Sequence, residues 1–305
     1  MSERLKIILA YTAICTIWGS TWLVIKIGLE TMTPLLSSSL RFILAGLILF
    51  GIIRARKIAV PLNKGTYWFF LIVSLTSFSI PFGLVYWGEQ HVSSGLTSIL
   101  FAVFPLSVGV MSTIFLPNEK LTAAKISGIV LGFTGIVIIF YNDAQLGTET
   151  ISFIGMGAIV LSAVMQSFSA VTIKKYGHNL SPYAVSFIPM SLAGIILMIG
   201  SVALEDFSAV QFTPPAIFSI IFLAVFGSVA TFVSYFWLLK RVEVVFLSLT
   251  SFVTPIIAVV LGVFILDEHI SSQLFIGSAF VLVGILSANA TEVRRFLRKR
   301  FNIAK

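Results

Sequence analysis

Apolar residues run along this chain in long blocks, separated by short gaps that hold most of the charge. Ten blocks approach or exceed the length that crosses a hydrocarbon layer, about 20 residues at a rise of ~1.5 Å over roughly 30 Å. They cover residues 5–28, 33–53, 66–88, 95–116, 123–141, 150–173, 182–204, 214–238, 244–266 and 272–290. None alternates apolar with polar, as the roughly ten-residue strands of a membrane barrel do. The stretch Ile129-Val-Leu-Gly-Phe-Thr-Gly-Ile-Val-Ile-Ile-Phe140 shows the unbroken pattern of a lipid-facing helix. Arg4 and Lys6 precede the first block in the manner of a secretory signal, but the block is too long for one and no Ala-x-Ala site follows, so it is expected to be a retained span. The gaps leave no room for a soluble domain. The expected fold is an all-α integral membrane protein with ten transmembrane helices.

Composition agrees. Of 305 residues, 58% are hydrophobic and 10% charged, and the mean hydropathy is +1.05. Soluble domains carry about 25% charge, so the balance excludes a soluble fold as well as disorder and a disulfide scaffold. The single cysteine, Cys15, forms no intramolecular disulfide. A formal charge of +8 suggests nucleic acid until the basic residues are placed. With the N-terminus in the cytoplasm, Arg4, Lys6, Arg54, Arg56, Lys57, Lys64, Lys120, Lys125, Lys174, Lys175, Lys240, Arg241 and all the basic residues of the tail 292–305 fall on the inner side. Only Lys26 lies at an outer end and Arg41 within a span, whereas Glu30, Glu89, Asp143, Glu149, Glu205, Asp206, Asp267 and Glu268 lie outside. This is the positive-inside pattern of a plasma or bacterial inner membrane protein with both termini cytoplasmic, so no nucleic acid partner is expected. The basic tail is expected to meet anionic head groups of the bilayer.

The chain repeats itself at half its length. Lys26, Pro34 and Gly46 recur 148 residues later as Lys174, Pro182 and Gly194; Phe82, Trp87 and Pro105 recur 150 later as Phe232, Trp237 and Pro255; Glu119, Gly128 and Gly135 recur 149 later as Glu268, Gly277 and Gly284. Each half holds five blocks, and five crossings deliver the chain to the opposite face. The expected domains are therefore a first five-helix module, 1–143, an inverted copy, 144–291, and the tail. Two inverted five-helix repeats suit alternating access, because exchanging the conformations of the halves turns an inward-open cavity outward.

Several residues carry a family likeness: Trp18-Gly19-Ser20-Thr21-Trp22 in the first helix, Pro34 with Arg41-Phe42 in the second, Pro105 followed by Glu119 and Leu121-Thr122, and Pro255 followed by Glu268. On these the chain resembles the drug/metabolite transporter superfamily, in particular its ten-helix EamA-type members, over nearly its whole length. The resemblance implies transport of a small molecule, with amino-acid export, other metabolite transport and drug efflux all within the family's range. Lys120 fits the basic residue that usually follows the loop glutamate and His269 departs from it; Pro189 stands where a second Arg41 would.

Pro105 and Pro255 sit near the middle of their blocks, where a proline frees the carbonyl four residues back, so hinges or packing kinks are expected there. Pro81 and Pro189 would likewise free the carbonyls of Ser77 and Val185. Trp18, Ser20, Thr21, Trp22 and Gln166 lie near midspan, away from the interfacial belts where Trp normally collects. With Phe82, Tyr86, Trp87, Tyr235 and Trp237 they are expected to line an aromatic substrate cavity, although Trp87 and Trp237 equally suit a belt. Arg41 is the one charge well inside a span; it is expected either to pair with Glu89 as a gate or substrate-carboxylate site, or to snorkel outward. Glu89 is the one candidate for proton coupling, while Glu119 and Glu268 are expected as helix caps or lid ion pairs. His91, His178 and His269 lie far apart and suggest no metal site, and no cofactor motif occurs. Gly128, Gly132, Gly135, Gly277 and Gly284 predict close helix packing, within a half rather than between two copies.

The spans contain no Asp or His and the chain no Gly-x-x-x-x-Gly-Lys motif, so neither an enzyme nor an ATP-driven pump is expected. The reading is a secondary transporter of a small organic solute, an exporter of amino acids or related metabolites by alternating access, with a passive channel or a multidrug efflux carrier as the alternative.

Overall fold

The computed structural model describes residues 3–115, 122–145, 150–177, 179–239, 241, 250–268 and 271–288. Glu119, Lys120, His178, His269 and the tail 292–305 lie outside them. Every regular element among the described residues is helical. In chain order these are α1 (Glu3–Leu29), α2 (Pro34–Ala55), α3 (Lys64–Val73), α4 (Ile80–His91), α5 (Ser94–Phe101), α6 (Val103–Phe115), α7 (Ala123–Gln145), α8 (Thr150–Tyr176), α9 (Pro182–Leu204), α10 (Pro214–Ala224), α11 (Thr231–Leu239), α12 (Thr250–Leu266) and α13 (Ser272–Ala288). A π-turn joins α3 to α4 over Ser74–Ser79, and another joins α10 to α11 over Val225–Ala230. Among the described residues seven continuous helical stretches are long and apolar enough to cross a membrane, three of them (Lys64–His91, Ser94–Phe115 and Pro214–Leu238) each joining two of these helices, and three shorter apolar helices accompany them. Large apolar side chains remain on the outside, Phe264 at 81% and Phe275 at 69% exposure, as a lipid solvent permits.

Local chemistry starts the helices where the apolar blocks begin. Pro occupies the first turn of α2, α9 and α10, where no N–H partner is lost. Asn63 and Thr66 cap α3 reciprocally, and Ser93 and Thr213 cap α5 and α10 through their hydroxyls. Lys57 and Asp267, at φ 51° and 52°, take the left-handed conformation just beyond α2 and α12 and turn the chain out of the helix.

The heaviest helix pairings all join the first half of the chain to the second: α7 with α13, α2 with α9, α4 and α6 with α8, and α1 with α12. One apolar cluster unites Ile99, Leu100, Leu106, Ile159, Val281 and Ile285; another unites Phe42, Leu49, Val73, Phe78, Met190 and Leu197. The small-residue crossing lies between the halves, which corrects the expectation of packing within one. A Cβ on Gly277 would sit 2.8 Å from the Gly135 carbonyl, and one on Gly284 2.6 Å from that of Gly128, so α7 and α13 touch backbone to backbone.

Contacts at the helix ends divide the molecule into two poles. At the basic pole Arg241 pairs with Glu3 at the start of α1 (3.1 Å), and Arg56 beyond α2 donates to Tyr183 Oη at the start of α9 (3.0 Å). At the acidic pole Glu205 meets the start of α2, Glu268 the start of α5, and Thr31 pairs with Thr213 before α10. There too Ser152 in the first turn of α8 donates to the His91 carbonyl at the end of α4 (3.1 Å).

Candidate functional site

The two π-turns occupy corresponding places in the halves. A π-turn takes backbone carbonyls out of the regular ladder and is frequent where a helix carries function. The first stands immediately before Pro81, so the irregularity expected at Ser77 spreads over Ser74–Ser79.

The second π-turn holds Arg41. This side chain lies on α2, 2% exposed. Its Nε donates to Ser228 Oγ (2.9 Å), Nη2 to the Gly227 carbonyl (3.1 Å) and Nη1 to Tyr86 Oη (3.3 Å), while the guanidinium lies 4.8 Å from the Phe82 ring centroid. A planar fork over an aromatic face suits burial better than an ammonium would. For Arg41, the expected pairing with Glu89 and the expected snorkelling are therefore both corrected. It forms no ion pair with Glu89, because the π-turn and Tyr86 supply its acceptors, and burial excludes snorkelling.

Glu89 lies one turn beyond Tyr86, fully buried, and neither carboxylate oxygen has a hydrogen-bond partner. Lys26 turns to the backbone instead: its Nζ donates to the carbonyls of Glu89 (2.6 Å) and Val92 (3.0 Å), a cation at the C-terminus of α4.

The aromatic candidates divide. Trp18 packs on Phe232 and Tyr235 (centroids 5.6 and 5.3 Å), Phe232 on Phe78, and Phe78 and Phe82 on Phe42, a continuous cluster that reaches Arg41. Trp22 packs on Phe101, which stacks on Phe104. Gly227 admits Thr21 and Arg41 together, since a Cβ there would meet Thr21 Cγ2 at 3.1 Å and Arg41 Nη2 at 3.4 Å. Ser20 and Thr21 spend their hydroxyl protons within α1, on the carbonyls of Ile17 and Trp18. Three candidates sit apart: Trp87 stands edge-on to His91, Trp237 lies under Arg241, and Gln166 donates to Ser162 Oγ (3.3 Å).

The prolines also differ. The helix breaks at Ala102, between α5 and α6, three residues before Pro105, and the nearby Phe104 carbonyl accepts from Ser167 Oγ (3.0 Å). Pro255 sits inside an unbroken α12.

A cavity of about 610 Å³ opens at the basic pole between the start of α3 and the ends of α6 and α8, lined by Asn63, Trp68, Phe115, Phe168, Lys175 and Tyr176 among others. Lys175, read from the sequence as an inner-side charge, lines it, but none of the cavity, hinge or gate candidates does, because its walls are helix ends, which carry no midspan anomaly to notice.

The acidic pole is closed by two carboxylates of the second half. Glu205 accepts from the N–H groups of Leu35 (2.7 Å) and Leu36 (3.0 Å) and from the hydroxyls of Thr33 and Ser201. Glu268 accepts from the N–H groups of Ser94 (2.7 Å) and Gly95 (3.0 Å), its backbone turned back by left-handed Asp267. Each satisfies the orphan donors of a first-half helix. Glu268 thus fulfils the capping expectation, and Glu205 was missed because nothing local says where its partner lies.

The model of the EamA-like transporter family matches this chain twice, over residues 5–141 and 153–290. The chain belongs to the EamA-like transporter family. It is accordingly a multi-pass membrane protein of a transporter family. Protein PagO of Salmonella typhimurium is 28% identical over 93% of this chain and 92% of its own length. The uncharacterized transporter YoaV of Bacillus subtilis is 27% identical, covering 95% and 99%, and the uncharacterized inner membrane transporter YedA of Escherichia coli 28%, covering 86% and 83%. A crystal structure of a protein 19% identical superposes with a TM-score of 0.68 over 94% of this chain and 98% of that one, a likeness of fold.

Proposed function

We propose that the protein is a secondary transporter that moves a small organic solute by alternating access, built as ten crossings in two inverted five-helix repeats, 1–143 and 144–291. One observation carries the reading. Repeat mates begin at opposite poles: α1 starts at the basic pole and α8 at the acidic one, α2 at the acidic pole and α9 at the basic one. The pairings also exchange under the repeat, with α1 on α12 answered by α8 on α6. Such an arrangement supports a two-fold axis in the membrane plane.

With the basic pole in the cytoplasm, both termini are cytoplasmic in the cell membrane, and the latched acidic pole with an open basic cavity corresponds to an inward-facing carrier. The solute enters beside Lys175 and Tyr176 and passes toward the aromatic cluster. Arg41 commits three of its five N–H donors to protein acceptors, which leaves donors for a substrate carboxylate. An aromatic wall beside a fixed guanidinium favours amino acids or related metabolites, and export is the direction inferred.

Counterflow tests the carrier. Proteoliposomes preloaded with unlabelled amino-acid hydrolysate should accumulate labelled hydrolysate transiently above equilibrium. A passive channel gives no such overshoot, and a multidrug carrier gives it only with lipophilic cations inside.

A further inference from the structure

We propose that Glu89 binds and releases a proton during the transport cycle, and that this proton controls the latch at the acidic pole; the proposal rests on the alternating-access reading above. The carboxyl is wholly enclosed and neither oxygen has a hydrogen-bond partner. Its neighbours at the same pole are treated differently: Glu205 accepts four hydrogen bonds and Glu268 two. A carboxylate kept only as a cap or strut is given donors, because an ionised one buried without them is among the costliest groups a fold can hold. Glu89 is left open for a ligand that comes and goes, and a proton is the smallest.

The surroundings are specified on every side. From α1 comes Lys26, spent on the carbonyls of Glu89 and Val92; from α2, Arg41, spent on Ser228, Gly227 and Tyr86. On α4 itself Tyr86 stands one turn before and His91 two residues after. The start of α5 carries the Ser94 hydroxyl, also buried and unpartnered, with Glu268 seated on its N–H groups. From α8 come Ser152, Gly155 and Ile159, none of them charged.

A proton from water adds to one carboxylate oxygen and leaves a neutral acid, removing one negative charge beside Glu268. Without it a buried negative charge stands at the same pole as the Glu268 carboxylate seated on the start of α5, and the two repel. Opening the acidic pole separates them and admits water. Proton binding therefore favours the latched state and proton loss the open one, since a ligand shifts an equilibrium toward the state that binds it better.

Two measurements test this on the purified full chain. Infrared difference spectra between acid and alkaline pH should show a carboxylic-acid C=O band that disappears in Glu89→Gln. Met32, 3% exposed in the apolar cluster at the acidic pole, is replaced by Cys in a Cys15→Ser background and labelled with an impermeant maleimide in proteoliposomes, normalised to the exposed site Gln90→Cys. Labelling should speed up about tenfold per pH unit through the transition. It should become pH-independent in Glu89→Gln and titrate again in Glu89→Asp. An unchanged band in Glu89→Gln, or the same pH profile in the variant and the parent, overturns the proposal. If instead both behave as expected but the parent shows no counterflow with labelled hydrolysate, the carrier reading falls and the proton site stands.

Discussion

Removing the Glu205 carboxylate should swing the carrier toward its outward-open form. Four donors converge on it at 2.7 to 3.0 Å, two of them the N–H groups of Leu35 and Leu36 at the start of α2. Hydrogen bonds to a charged group are each worth about 1.5–3 kcal/mol, but these four share one half-exposed carboxylate and are not additive. In the open form water replaces the partners, so the latch contributes only the net difference. An N-cap replaced by Ala loses about 0.5–2 kcal/mol, and the two hydroxyl bonds bring the total to about 2–4 kcal/mol. At a factor of ten per ~1.4 kcal/mol this shifts the population about 30- to 700-fold, toward the lower figure because Glu205 is partly solvated. The assay is maleimide labelling of Met32→Cys from the outside, in Glu205→Ala and in Glu205→Gln, which keeps the shape and loses the charge. Labelling should rise at least about 30-fold in the alanine variant and less in the glutamine variant. An unchanged rate in both, with the fold intact by thermal melting, would refute the latch.

Arg41→Ala should leave the Gly227 carbonyl and the Tyr86 hydroxyl without their partner at roughly 1–3 kcal/mol each, visible as a lower melting temperature and lost counterflow; Arg41→Lys should keep most of the stability but not the activity, and full activity in both would exclude a role for the guanidinium. Gly277→Ala should force α7 and α13 apart at a cost of about 1–3 kcal/mol, read as a drop in melting temperature, whereas Gly109→Ala, inside α6 with open space around it, should hold or slightly raise the melting temperature. Asp206, in the loop between α9 and α10, is held below the ordinary carboxylate range, first by the Ser208 N–H and then by its hydroxyl. Because its folded value is depressed, its small contribution is present above the ordinary Asp range and is lost as pH falls through the folded value. Asp206→Asn should therefore lower the melting temperature slightly at neutral pH and not in strong acid, where the carboxylate is already protonated; a change confined to acid pH, or equal at every pH, would contradict the assignment.

Among the described residues the long apolar helices were legible from the chain to within a few residues. The block 182–204 coincides with α9, and 33–53 falls within a residue or two of α2, because in lipid an apolar run and a helix are nearly the same fact. Arg41 announced itself as a buried charge, yet its acceptors did not. Ser228 and Gly227 lie more than 180 residues away and are presented by a π-turn that no periodicity betrays. Glu89 read as a rim residue since it stands two positions from the end of α4; only the packing of α1, α5 and α8 over it makes it buried. Glu205 read as an ordinary outer-loop acid for the same reason. What a side chain is comes from the chain, and whom it meets comes from pairings between distant helices that local pattern does not encode.

The central claim is that two inverted halves open one pole while closing the other. Pulsed electron–electron distances test it with two label pairs on exposed sites, Gln90 with Phe207 at the acidic pole and Tyr67 with Tyr176 at the basic pole. Adding the amino-acid mixture that supports counterflow should lengthen the first distance and shorten the second. Two distances that move in the same direction, or that stay fixed while solute is carried, would contradict the account.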